Sequence, residues 1–344
     1  SITQHYHSPT SQIAGPFSRT FTDRMLYEPT NIQTLMYRES LGRIPIFHGY
    51  PMGNTDSALA VNAVLPAILS RGWPDDWVDI ALAPPVSPRQ YVERVEELGL
   101  GAFKQTTTYL DQWMALGSVN VEAIYSLNEQ RRPIIAHAVH PITSEVGVFY
   151  AYSSLPEQRP ILKCVQNYRS ILCLIWIGNY QQGGLAEDKH TLVLRWLGKD
   201  TAGEEATRSL EKSRLFRVNW IDIPVQVIIM PIDGDVVVLT TELADGFEIR
   251  LDAILPETRP ESASLAYVPF VFGLAFGEFK NQTGQLNPIR YGLDSSRSMF
   301  EALWNSPDGV LSLNTLLSPL DRWWYQVSAI NGIAVNAVPL QIDP

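Results

Sequence analysis

Residues 215–255 constrain the fold more than any other stretch of this chain. Phe216, Val218 and Trp220 alternate with polar neighbours, and Val225, Val227 and Ile229 repeat the period of two. Val236 and Val238 follow Asp233-Gly234, while Phe247, Ile249 and Leu251 follow Asp245-Gly246. Alternation at period two places one set of side chains on each face of a strand. Asp-Gly between such runs is a hairpin signal, because type I′ turns need positive φ at both central residues. The stretch therefore predicts antiparallel sheet with one buried and one polar face.

The same period runs through 134–139, 146–152, 170–177, 191–196 and 265–276, so seven to nine strands are expected across 133–277. Elsewhere the pattern favours helices. Asn54, Thr55 and Asp56 offer caps for a helix carrying Leu59, Val64, Ile68 and Leu69. Ser87 as N-cap, Pro88 at N1, Gln90 closing a capping box and Gly99 as the stop predict a helix with Tyr91, Val92, Val95 and Leu98 on its apolar stripe. Thr106 to Leu116, Val119 to Leu127, the charged Thr201 to Arg214, Ser298 to Trp304 and Ser312 to Ile330 also read as helical, the last ending at Asn331-Gly332.

These readings give an α+β chain, mainly antiparallel β. It comprises an extended N-terminal arm (1–30), a helical segment (31–132), a central β-sandwich (133–277) with the jelly roll as its candidate form, and a C-terminal helical segment (278–344) packed on the N-terminal helices. Without βαβ alternation, neither a Rossmann fold nor a TIM barrel is expected.

Composition bears on partners. Charged residues are 18% of the 344, against about 25% in an average chain. There are 20 Arg and 6 Lys, with 9 Trp and 14 Tyr. Protein interfaces are depleted in Lys and enriched in Arg, Trp and Tyr, although a lineage with GC-rich codons also favours Arg. The net charge of −10, with no basic run denser than Arg131-Arg132, argues against direct nucleic-acid binding, which needs Lys/Arg clusters. No signal peptide is read, and the longest apolar run, Ile171 to Gly178, is too short to span a bilayer, so no membrane insertion is expected.

Candidate chemistry is sparse. His137 and His140, with His48 or Glu145 as further ligands, could hold a metal only at a bent strand end, since odd spacing in a strand separates them. Cys164 and Cys173 lack CxxC spacing and read as buried packing residues. Asp233 and Asp235 fit hairpin chemistry. Asp75 and Asp76, between Trp73 and Trp77, fit a helix start more simply than the acid and base of a sugar cleft. Asn281-Gln282-Thr283 is a glycosylation sequon that matters only in a secreted chain. No catalytic residue, cofactor site or metal site is assigned.

Trp323, Trp324 and Tyr325 are the densest aromatic cluster. Three consecutive aromatics in a helix cannot share one face, so at least one should meet another element or another chain, which makes them interface candidates. The expected function is structural self-assembly, with the coat subunit of a non-enveloped virus as the concrete case. Its partners would be copies of itself and other coat subunits, and its place the virion, or the cytoplasm if it is not a coat protein. The alternatives are a glycoside hydrolase-like enzyme and a carbohydrate-binding β-sandwich module.

Overall fold

A computed structural model describes residues 6–7, 9, 12–13, 87–96, 103–121, 134–153, 158–180, 189–206, 213–231, 236–254, 265–277, 289–294, 299–315, 323–330 and 333–340. Among the described residues every regular element is a strand, and no helix is long and apolar enough to cross a membrane. The strands in chain order are β1 (Tyr6–His7), β2 (Gln12–Ile13), β3 (Arg89–Glu96), β4 (Phe103–Leu110), β5 (Met114–Val121), β6 (Ile134–Val139) and β7 (Val146–Ser153). Next come β8 (Gln158–Asn167), β9 (Ser170–Tyr180), β10 (Lys189–Leu197), β11 (Ala202–Glu205), β12 (Arg214–Trp220), β13 (Ile223–Pro231) and β14 (Val236–Leu243). The last are β15 (Gly246–Ile254), β16 (Leu265–Phe276), β17 (Arg290–Asp294), β18 (Met299–Ser306), β19 (Gly309–Thr315), β20 (Trp323–Ile330) and β21 (Ile333–Leu340).

All pairings are antiparallel. One half of the main sheet runs β11-β12-β13-β16-β9-β8; the other runs β5-β6-β7-β10-β15-β14, with β3 and β4 added beside β5. The halves meet at β5, which pairs with β6 over Met114–Ser118 and reaches β8 only at Val121, opposite Leu162. Between them lies one apolar interior. Phe216, Trp220, Val227 and Phe272 enter it from the first half, and Phe149, Trp196, Phe247 and Ile249 from the second. This is a β-sandwich-like arrangement. Each fully buried aromatic contributes about 1.5–3 kcal/mol.

Two kinds of strand follow from what covers them. β12 alternates as its sequence predicts, with Phe216, Val218 and Trp220 buried and Arg217 and Asn219 exposed. In β6, by contrast, every residue is buried, as are 171–174 of β9, 227–230 of β13 and 271–276 of β16. Unbroken apolar runs of this kind belong to strands covered on both faces. A three-stranded sheet, β17-β18-β19, supplies a cover over β8, β9 and β16. Trp304 of β18 lies flat on Gly273 of β16, where a Cβ would stand 3.0 Å from the indole.

Several expectations are corrected. The helices predicted at 87–99 and 106–116 are replaced by β3, β4 and the start of β5. The first three residues of the one predicted at 119–127 end β5, while 122–127 lie outside the described residues, and the N-terminal part of 201–214 is β11. A helix cap contributes about 1 kcal/mol, and a helix of ten residues is marginal alone. Here the β-branched run Thr106–Thr108 of β4 sits between two hydrogen-bonded neighbours, and the sheet wins. The helices expected at 298–304 and 312–330 are likewise β18, β19 and β20. In β18, Ala302, Trp304 and Ser306 are buried while Glu301, Leu303 and Asn305 are exposed, a period of two. The 54–72 helix, Asp75, Asp76, His48 and Asn281 lie outside the described residues.

The turns also differ. Asp233-Gly234 lies outside the described residues. In the β14–β15 hairpin Leu243 pairs with Gly246, so the loop is Ala244-Asp245 and Gly246 already belongs to the strand. Positive φ at two successive loop residues occurs instead at Ile221 (44°) and Asp222 (60°), between Trp220 and Ile223. That conformation strains a β-branched residue. Burial of Ile221 against Gly147 and Gly198 holds it in place.

Candidate functional site

The antiparallel registers bring the turns after β4, β6, β8, β10, β12 and β14 to one end of the sandwich. Backbone bonds knit these turns to one another and to the neighbouring strand ends. The N–H of Val139 donates to Trp113, that of Gly198 to Asp245, that of Phe276 to Arg169 and that of Gly277 to Pro224, at 2.8–3.1 Å. Carboxylates and histidines gather at this end, and their partners decide what they can do.

Asp111 accepts three hydrogen bonds: from the Tyr109 hydroxyl (2.6 Å) and from the backbone N–H groups of Trp113 and Met114 (2.7 Å each). Burial, and then this bond to Asp111, push the Tyr109 phenol well above its ordinary range. Asp308, in the β18–β19 turn, accepts from the Arg169 N–H (3.0 Å) and the Ser170 hydroxyl (2.7 Å), and its carbonyl accepts from Asn167 (2.5 Å). Glu145 accepts from the Lys199 N–H at 3.1 Å. Each carboxylate serves a turn, the usual use of Asp in loops.

His140 and Asp222 form the arrangement nearest to catalytic chemistry. The imidazole Nε2 donates to Asp222 at 2.9 Å, and Nδ1 accepts from the backbone N–H groups of Ile142 (3.2 Å) and Thr143 (3.0 Å). Those two donors fix the tautomer with its proton on Nε2. The bond from His140, and then that from Asn219, hold the exposed Asp222 carboxyl below the usual carboxylate range. A general base needs a free ring nitrogen directed at its substrate. Here the carboxylate holds one and the backbone the other. The pair is a clamp between the β6–β7 and β12–β13 turns.

His137 lies three residues away yet belongs to a different environment. Its rung across the sheet is Leu110, Ala115, His137 and Val148, on the face turned away from the apolar interior. His7 of β1 reaches the same face. The two histidines weighed as metal ligands are therefore separated, and among the described residues no three His, Cys, Asp or Glu side chains converge to hold a metal ion. Arg214 closes the opposite, open side of the sandwich. It forms a two-pronged pair with Glu205 at 2.5–2.7 Å and donates to the Val238 carbonyl at 2.9 Å, capping one exposed acceptor of the edge strand β14.

Cys164 and Cys173 face each other directly across the β8–β9 hairpin, a proximity that their nine-residue spacing hides until the turn at Tyr168-Arg169 is known. Neither is in a disulfide, and both are buried. Burial, followed by a hydrogen bond with Cys164, raises the Cys173 thiol well above its ordinary range. Burial keeps reagents from both side chains, so neither thiol should react with a maleimide in the native protein, and both should react after denaturation. Modification at a rate matching that of an exposed thiol would contradict the packing.

Trp323, Trp324 and Tyr325 are in a strand, which removes the helical reason for expecting one of them to meet a partner. Their backbones pair with Tyr267, Ala266 and Leu265 of β16, and Trp324 also pairs with Leu340 of β21. Sequence reasoning passed over a second apolar set at the turn end. Trp113, Ile142 and Tyr168 are 41%, 87% and 45% exposed. The Tyr168 ring stands edge-on to Tyr109 at 5.9 Å, Tyr109 bonds Asp111, and Trp113 leads through Val139 to the turn of Ile142. The signal for this set is an apolar residue inside each of three turns. Compared with known proteins, the chain matches no family model, no curated sequence and no solved structure.

Proposed function

We propose that this protein is a structural subunit that assembles with copies of itself, with the coat subunit of a non-enveloped virus as the concrete case. The observation that carries the reading is the apolar set at the turn end. Trp113, Ile142 and Tyr168 are held out to solvent on turns that hydrogen bonds already fix. Preorganised exposed apolar residues lose little entropy on docking, and patches of this kind mark interaction sites. The strand order adds support. β9-β16-β13 faces β10-β15-β14, and the chain passes from one half to the other at β7→β8, β9→β10, β10→β11, β13→β14 and β15→β16. Repeated crossing of antiparallel strands around one interior is what a sandwich of jelly-roll type needs, and it supports that finer reading. Low charge and scarce Lys agree with a surface covered by neighbours. The acidic balance leaves genome neutralisation to other components, so the partners are further copies and other coat subunits, in a virion.

Light scattering after size exclusion, with negative-stain microscopy, tests this directly. High-order particles or an inseparable oligomer are expected. Trp113→Glu combined with Ile142→Glu should yield folded, dispersed subunits, with association weakened at least about 100-fold. A monodisperse wild-type monomer at high concentration would defeat the proposal. Glycan binding by that monomer would then favour the carbohydrate-binding alternative.

A further inference from the structure

His137 is fully buried in the middle of the sheet, and neither of its ring nitrogens has a hydrogen-bond partner among the described residues. Its rung neighbours Leu110, Ala115 and Val148 are apolar, so a leucine in the same slot would pack without an unsatisfied polar group. The group placed against it comes from the far end of the chain. His7 of β1 is also fully buried, and its Nε2–H donates to the Asp111 carbonyl at 2.9 Å, across 104 residues of sequence. Leu110, next to Asp111, shares the rung of His137, so the two imidazoles lie on one face of one sheet.

We propose that β1 is a proton-released latch: His7 and His137 hold the N-terminal strand on the sheet while both are neutral, and acidification lets go of it. This inference is independent of the assembly reading. Among the described residues the titratable groups facing the pair are Asp111, whose charge favours a proton on His7, Tyr109, hydrogen-bonded to that same Asp111, and each histidine toward the other. Asp111 is outweighed. Burial brings His7 down from 6.5 to about 4, and burial with the neighbouring His7 brings His137 down to about 3. A released His7 regains an ordinary affinity for protons. Docking is therefore at full strength above pH 6.5 and weakens as pH falls from there toward about 4, by about 100-fold at pH 4.5 for His7 alone. Two imidazolium ions on one buried face would also repel.

Hydrogen exchange read by mass spectrometry on the full chain tests the latch, with rates corrected for their intrinsic pH dependence. Amides of β1 and β2 (Tyr6, His7, Gln12 and Ile13) should be protected at pH 7.5 and unprotected at pH 4.5, while Arg214–Pro231 stays protected at both. His7→Gln keeps an N–H donor for the Asp111 carbonyl but cannot take up a proton. Combined with His137→Leu, it should keep the amides of β1 and β2 protected at pH 4.5. Should the double variant fold poorly, His7→Gln alone must move the release midpoint to lower pH. Wild-type protection that persists at pH 4.5, or release at an unchanged pH in the variants, would overturn the proposal.

Discussion

Gly246→Ala is expected to destabilise the protein by about 3 kcal/mol, more than any other single added methyl group in the sheet. A Cβ at this position would strike the backbone carbonyl of Trp196 and press on Leu197. Trp196 is paired on both sides, with Phe149 of β7 and Phe247 of β15, so its carbonyl cannot move aside without breaking the ladder. Gly273→Ala is the internal comparison. There the nearest atoms belong to the Trp304 ring at 3.0–3.2 Å, a side chain that can tilt, and a loss of about 1 kcal/mol is expected. Urea denaturation of the two variants side by side is the measurement. Equal midpoints would show that the main-chain approach at Gly246 relaxes as easily as a ring.

Removing the Asp308 carboxylate should detach the small sheet from the sandwich. In Asp308→Ala, the Ser170 hydroxyl, fully buried, and the Arg169 N–H lose their acceptor together, a cost of about 2–4 kcal/mol for two stranded donors. Trp304 should then become mobile, with a red-shifted and more easily quenched fluorescence. Asp308→Asn retains one carbonyl oxygen as acceptor and should lose about half as much. An unchanged emission spectrum and denaturation midpoint in Asp308→Ala would show that apolar contact alone seats the β18–β19 turn.

How far these features could be read in advance depended on the kind of signal. β6, β7, β9, β10 and β16 were legible as alternating or continuous apolar runs, and β12 repeats its predicted alternation residue for residue. β18 and β19 were read as helix, although Pro307-Asp308-Gly309 stands between their apolar runs and is a turn sequence that outranks the helical spacing around it. Asn331-Gly332 fits a helix stop and a hairpin equally, and the strands on either side of it are paired. For β3 the local signal pointed the wrong way, because Ser87, Pro88 and Gln90 compose a good capping box. At the candidate sites the limit was different. His7 is 104 residues from Asp111, and His140 is 82 from Asp222. No spacing rule spans such distances.

Local chemistry thus specified most of the extended segments within 133–277, which face of β12 is apolar, and that too few charges are present for a generously ionic surface. The fold specified what each segment lies against. It turned the strands of 89–121 and 299–340 away from helix, put a β-branched residue into a strained turn, occupied the carboxylates with backbone donors, and buried two histidines on one face. The division has a physical cause. Periodicity and turn preference are set by neighbours a few bonds away, whereas desolvation and hydrogen-bond partners come from strands that meet only after the chain has wrapped around its core.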